Sequence, residues 1–76
     1  MGETVEINAI GTKCPRPIIE IAKAFRRCTG DCTIIIKADD LAFESDVIAW
    51  CETTKNGLID IVKDGPIITA RIKIKK

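Results

Sequence analysis

Histidine is missing from all 76 residues, and with it go the commonest metal ligand and every nucleophile scheme that needs an imidazole base. Tyrosine is missing too. One tryptophan and two phenylalanines are too few aromatics to build the stacking platforms that hold single-stranded nucleic acid. Charge of one sign is not in excess: twelve basic residues against eleven acidic ones leave +1. No global field therefore draws the chain onto phosphate backbones or anionic lipid, which argues against direct binding of nucleic acid. Long apolar runs are also lacking. The longest are short, such as Ile34-Ile35-Ile36, so no membrane partner is expected. Met1-Gly2-Glu3-Thr4 has neither the basic region nor the apolar core of a signal peptide, and the expected location is the cytoplasm.

Cysteine, by contrast, occurs four times, at Cys14, Cys28, Cys32 and Cys51, with no pair at CxxC spacing. Small secreted scaffolds use an even cysteine count as staples, but a chain that is 46% apolar has the material for a core without them. The spacings match no zinc ribbon or knuckle, so neither a metal nor a cofactor is expected. Cys28 and Cys51 fall on apolar helical stripes and read as packed residues. Cys32 opens a strand and reads the same way, while its closeness to Cys28 leaves a disulfide between the two open.

The length fits one domain, residues 1–76. Thr4-Val5-Glu6-Ile7 alternates with period two and predicts a strand. After Gly11 the period changes. From Pro15 onward Ile18, Ile21, Ala22, Phe25 and Cys28 form one stripe of a helix, with an end expected near Thr29-Gly30-Asp31 in a left-handed glycine. Cys32 to Lys37 is a short apolar run suited to a strand well inside a sheet. Asp39 or Asp40 can then cap or turn the next segment. Phe43, Val47, Trp50 and Cys51 share the face of a second helix that starts between Leu41 and Asp46 and ends at Asn56-Gly57. Leu58 to Lys63 and Ile67 to Ile74 flank Asp64-Gly65 as a hairpin. The predicted fold is an α/β two-layer sandwich of order βαβαββ. Both helices pack on one face of a four-stranded mixed sheet whose last strand is antiparallel to the rest.

The residues with chemistry to offer stand where the first helix begins, in Lys13-Cys14-Pro15-Arg16-Pro17. Proline suits a first helical turn, where its missing N–H would have had no partner and its φ is already set. Pro15 and Pro17 thus stiffen the approach to the helix and place Cys14 at or beside the N-cap. A thiol there feels the positive end of the helix dipole, and Lys13 and Arg16 add charge on either side. All three influences favour thiolate, so the Cys14 pKa is expected below the ~8.5 of a free thiol. No base accompanies it. Acyl transfer would need one, whereas exchange of sulfur between cysteines does not, because a thiolate attacks a persulfide or disulfide directly.

"CPRP" at the head of the first helix of a βαβαββ chain resembles the C-P-x-P motif of the TusA-like (SirA-like) family of small sulfur carriers. "IIIKADD" is similar to that family's second strand and acidic turn, and "DVIAWCE" to its second helix. The sequence departs from the family at Thr12, where many members carry leucine, and at "TTKNGL" after the second helix. The resemblance implies that Cys14 accepts a sulfane sulfur as a persulfide and relays it, with Pro15 and Pro17 shaping the loop. It implies a persulfide donor protein, either a cysteine desulfurase or a rhodanese-like protein, and an acceptor protein. The pathways it implies are tRNA thiolation, molybdenum cofactor assembly or sulfur oxidation. Two other classes fit the same residues. One is a thiol redox protein in which Cys14 pairs with another cysteine. The other is a binding module for RNA or protein without chemistry, using Arg71, Lys73, Lys75 and Lys76 as a basic edge.

Overall fold

Four strand-like segments and two with helical spacing resolve into six elements in a computed structural model that describes residues 3–13 and 15–75. Their order is β1 (Glu3–Asn8), α1 (Arg16–Arg27), β2 (Cys32–Ala38), α2 (Phe43–Thr54), β3 (Gly57–Asp64) and β4 (Ile67–Ile74). The strands lie in the order β1-β2-β4-β3. β1 and β2 are parallel, and β4 runs antiparallel to both β2 and β3. This is the expected four-stranded mixed sheet with its last strand reversed.

β2 is an inner strand, as its unbroken apolar run requires. Its inward residues Cys32, Ile34, Ile36 and Ala38 are all buried and stand beside Ile74, Ile72, Ala70 and Ile68 of β4. The edge strands contribute less, with Val5, Ile7, Leu58 and Ile61 only partly buried against the core. α1 lies over β1 and β2, and α2 over β3 and β4, so the helices share one face. α2 contributes Phe43, Val47 and Cys51 to the core. On α1 the buried line runs through Pro17, Ile21, Ala24 and Cys28, with Ile18 and Phe25 half-buried beside it. That is a rotation from the stripe drawn from spacing alone, which left out Pro17 and Ala24.

Two helix ends differ from expectation. Gly30 supplies no left-handed residue. Cys28 instead leaves α1 in extended conformation (φ −71°, ψ 127°), and a disulfide to Cys32 ties the end of the helix to the start of β2 across 6.3 Å between Cα atoms. α2 ends at Thr54, just short of the expected Asn56-Gly57, in a left-handed Lys55 (φ 59°). It is held by a Schellman closure in which Asn56 N–H donates to the Cys51 carbonyl (3.0 Å) and Lys55 N–H to that of Glu52 (3.3 Å). Buried Asn56 supports this turn, its Oδ1 accepting from Lys75 N–H at 3.0 Å and its side-chain amide donating to Thr54 Oγ1 at 2.9 Å. No helix among the described residues is long and apolar enough to cross a membrane.

Candidate functional site

Parallel pairing ends β1 and β2 side by side, so the loops that follow them, 9–15 and 39–42, emerge together at one end of the sheet. Loops at the carboxyl ends of parallel strands are where α/β sheets place their sites. Ala9 extends the ladder by one bond, its N–H donating to the Lys37 carbonyl at 2.8 Å. The chain then turns tightly. Ile10 N–H donates to Asn8 Oδ1 (3.0 Å), while the N–H (3.2 Å) and hydroxyl (2.6 Å) of Thr12 both donate to the Ala9 carbonyl.

The two loops are clasped together by Gly11, whose N–H donates to Asp39 Oδ1 at 3.0 Å. Gly11 sits at φ +87°, a conformation that side-chain-bearing residues rarely adopt, and a Cβ there would meet nothing within 4 Å. Gly11→Ala is therefore expected to cost only backbone strain, about 1–2 kcal/mol, seen as a lower urea midpoint with an unchanged slope. Of the two aspartates expected to cap or turn the next segment, neither caps α2, whose N-cap Ala42 has no side-chain capping bond. Asp40 makes the turn into α2, its Oδ1 accepting from Ala42 N–H at 3.1 Å and its carbonyl from Phe43 N–H at 3.0 Å. Asp39 holds the other loop. Gly11, Thr12, Lys13, Asp39, Asp40 and Leu41 together line an open cleft of about 420 Å³.

α1 starts one residue later than expected. Pro15 occupies the N-cap (φ −98°, ψ 19°), Arg16 is the first helical residue, and Pro17 lies buried within the first turn. The turn closes through Arg16 N–H to the Lys13 carbonyl (2.8 Å) and Ile19 N–H to the Pro15 carbonyl (3.0 Å). The first turn holds no acidic side chain, so nothing within it offsets the positive end of the helix dipole. Cys14 itself lies outside the described residues. Of its charged neighbours, Arg16 shares its charge with Glu20 (Nε to Oε2, 3.3 Å), which Lys23 also approaches at 3.6 Å. Exposed Lys13 makes no ion pair among the described residues.

A second surface adjoins Pro15. Together with Ile18, Asp46, Ala49, Trp50 and Thr53 it lines a mainly apolar groove of about 340 Å³ between the two helices. Trp50 stands edge-on to Phe25, ring centroids 5.7 Å apart at 84°. Trp50, expected on the core face, packs half-buried against the core and also walls this groove. The clasp and the groove were both missed. "ADD" directly after an inner strand was the available signal for the first, and Trp50 one position off the Phe43–Val47–Cys51 line was the signal for the second.

The remaining cysteines stand apart from this end. Cys28 and Cys32 are bonded to each other beyond the far end of the 12-residue α1, roughly 18 Å of helix away from Pro15. Cys51 is a free, buried thiol, and burial pushes its pKa up. A redox centre uniting Cys14 with Cys28 or Cys32 is thus at odds with the resting pairing. The expected basic edge also changes. β4 is an inner strand, and Arg71 is paired bidentately with Asp60 of β3, its Nε 2.8 Å from Oδ1. That hydrogen bond holds the Asp60 carboxyl below the usual carboxylate range. Lys76 lies outside the described residues.

Residues 5–76 match the sequence model of a family described as Sulfurtransferase TusA. The fold is similar to the crystal structure of a SirA-like protein from Desulfitobacterium hafniense. The TM-score is 0.83 over 95% of this chain and 99% of that one, at 20% sequence identity, a likeness that concerns the fold alone.

Proposed function

The chain belongs to the TusA sulfurtransferase family, and from that premise we propose that it is a sulfur carrier whose working thiol is Cys14. The Cys14 thiolate attacks the outer, sulfane sulfur of a donor protein's persulfide. The S–S bond to the donor cysteine breaks, the donor leaves as a thiolate, and Cys14 holds the sulfur as a persulfide. An acceptor protein's thiolate repeats the step and restores Cys14. No proton transfer is needed in either direction, in keeping with a chain that contains no histidine.

The observation that carries this reading is the acid-free first turn of α1, capped by Pro15, beside a Lys13 that makes no ion pair among the described residues, immediately around Cys14 in the chain. Positive potential there favours the thiolate and the persulfide anion alike. Pro15 and Pro17 shape the approach, and Lys13 supplies more of the support than Arg16, whose charge Glu20 shares. The donor is a cysteine desulfurase or rhodanese-like protein, and the protein works in the cytoplasm.

Incubation with a persulfide-loaded donor is expected to add about 32 Da, one sulfur, and digestion should place it on the peptide that contains Cys14. Absence of any adduct at a donor concentration that loads a control thiol protein, or an adduct only on Cys51, rules the reading out.

A further inference from the structure

The Cys28–Cys32 disulfide takes no part in the relay, yet it is buried only beneath the end of α1 and the edge of the sheet, where local opening can bare it. β1 forms the edge of the sheet, and between this strand and the end of α1 runs a cleft of about 310 Å³ lined by Glu3, Thr4, Val5, Ala24, Arg27 and Cys28. Cys28 borders that cleft at 3% exposure and Cys32 lies on inner strand β2 at 1%, so attack on the bond waits on local opening, which bares Cys28 first. The cover is light. Cys28 is held by backbone bonds to the last turn of α1 (3.1 and 3.2 Å), and the start of β1 is held to the 28–31 turn by Glu3 N–H on the Asp31 carbonyl at 3.3 Å. Helix ends and edge strands are the parts of a domain that open at least cost. Arg27 at the cleft favours an incoming thiolate over a neutral thiol.

We propose that Cys28 and Cys32 form a reversible redox couple, exchanged with low-molecular-weight thiols through the β1-edge cleft, which sets the stability of the domain separately from the sulfur-bearing end. In the forward direction a glutathione-type thiolate attacks Cys28 Sγ. The Cys28–Cys32 bond breaks and Cys32 leaves as a thiolate, which takes up a proton. A second small thiolate then attacks the sulfur of the small molecule in the mixed disulfide and releases Cys28 as a thiolate. In sum, the protein disulfide and two thiols give the protein dithiol and one small-molecule disulfide, a two-electron exchange that oxidised glutathione reverses. Cys51 does not enter the couple: it is a free thiol with no disulfide for a thiolate to attack, and burial pushes it away from thiolate. Disulfides are rare in reducing compartments, so in the cytoplasm the balance of this couple against the local thiol pool decides which form is present.

The test uses the full chain in buffers graded from reduced to oxidised glutathione, quenched and alkylated, with peptide masses read for each cysteine. Cys28 and Cys32 are expected to titrate together as one two-electron step, and the transient glutathione adduct should sit on Cys28. The oxidised form is expected to melt higher by on the order of 10 °C, the amount a cross-link closing a five-residue loop confers on a domain this small. The double variant Cys28→Ser, Cys32→Ser should melt with the reduced wild type. Should that variant not fold, reduced against oxidised wild type still decides. A pair that stays reduced or stays bonded across the whole range, an adduct on Cys32 alone, or equal melting of the two forms overturns the proposal.

Discussion

Phe43→Ala is expected to cost about 3–5 kcal/mol and to lower the melting temperature by at least ~12 °C. Phe43 is 1% exposed and is the largest of the fully buried side chains. It leads the line Phe43, Val47, Cys51 by which α2 seats on the sheet. A domain of this length has only about 4–11 kcal/mol in total, so one deletion of this size consumes much of it. The position also couples core to site. Phe43 N–H closes the turn on the Asp40 carbonyl, one residue from the Asp39 that clasps Gly11, so loss of the ring should loosen the 39–42 loop before the whole chain unfolds. Amide exchange would show this as protection at Gly11 falling further than protection in β4. Leu41→Ser is the control. At 94% exposure Leu41 contributes no burial, and its replacement should stay within about 0.5 kcal/mol of wild type. A Phe43→Ala protein that melts within a few degrees of wild type would show that the core lies elsewhere.

Periodicity made most of this fold legible because sheet and helix bury different repeats. Ile68, Ala70, Ile72 and Ile74 alternate with Thr69, Arg71, Lys73 and Lys75, and in the structure the first set is buried while the second faces away from the helices. The Ile34-Ile35-Ile36 run marked a strand inside the sheet, where Ile35 stays half-buried between β1 and β4 even on the face without helices. Helix ends were read less well, since competing local interactions settle them. A cross-link at Cys28 replaced the left-handed glycine expected near Gly30, and Schellman bonds overrode the cost of a left-handed Lys55. At the site, the stiff prolines and basic neighbours were visible because they are contiguous in the chain. The Gly11–Asp39 clasp was not, because its partners are 28 residues apart and only the parallel pairing of β1 with β2 brings them together. Arg16 shows the same limit. Sequence gives its charge, but the i,i+4 geometry that lends part of that charge to Glu20 emerges only once the helix start is fixed at Arg16.

Cys14→Ser is expected to reduce sulfur acceptance to background while leaving the melting temperature within a few degrees of wild type. Oxygen cannot replace sulfur in this exchange. A serine hydroxyl stays protonated at neutral pH, and the reaction draws its speed from the thiolate and from the sulfur–sulfur bond it makes. The chain neighbours of Cys14, Lys13 and Pro15, are both exposed. Charge then separates a working thiol from a bystander. Alkylation of Cys14 by iodoacetamide is expected to be half-maximal at a pH below the ~8.5 of a free thiol. Lys13→Glu should move that midpoint upward and slow sulfur acceptance at pH 7, because it replaces the cation next to Cys14 in the chain with a charge of the thiolate's own sign. Arg16→Glu should do less, since Glu20 already shares the Arg16 charge. If the alkylation midpoint did not respond to Lys13→Glu, or if Cys14→Ser still took up sulfur, the acid-free helix start would be no more than a stiff corner of the fold and the carrier thiol would have to be sought at Cys51.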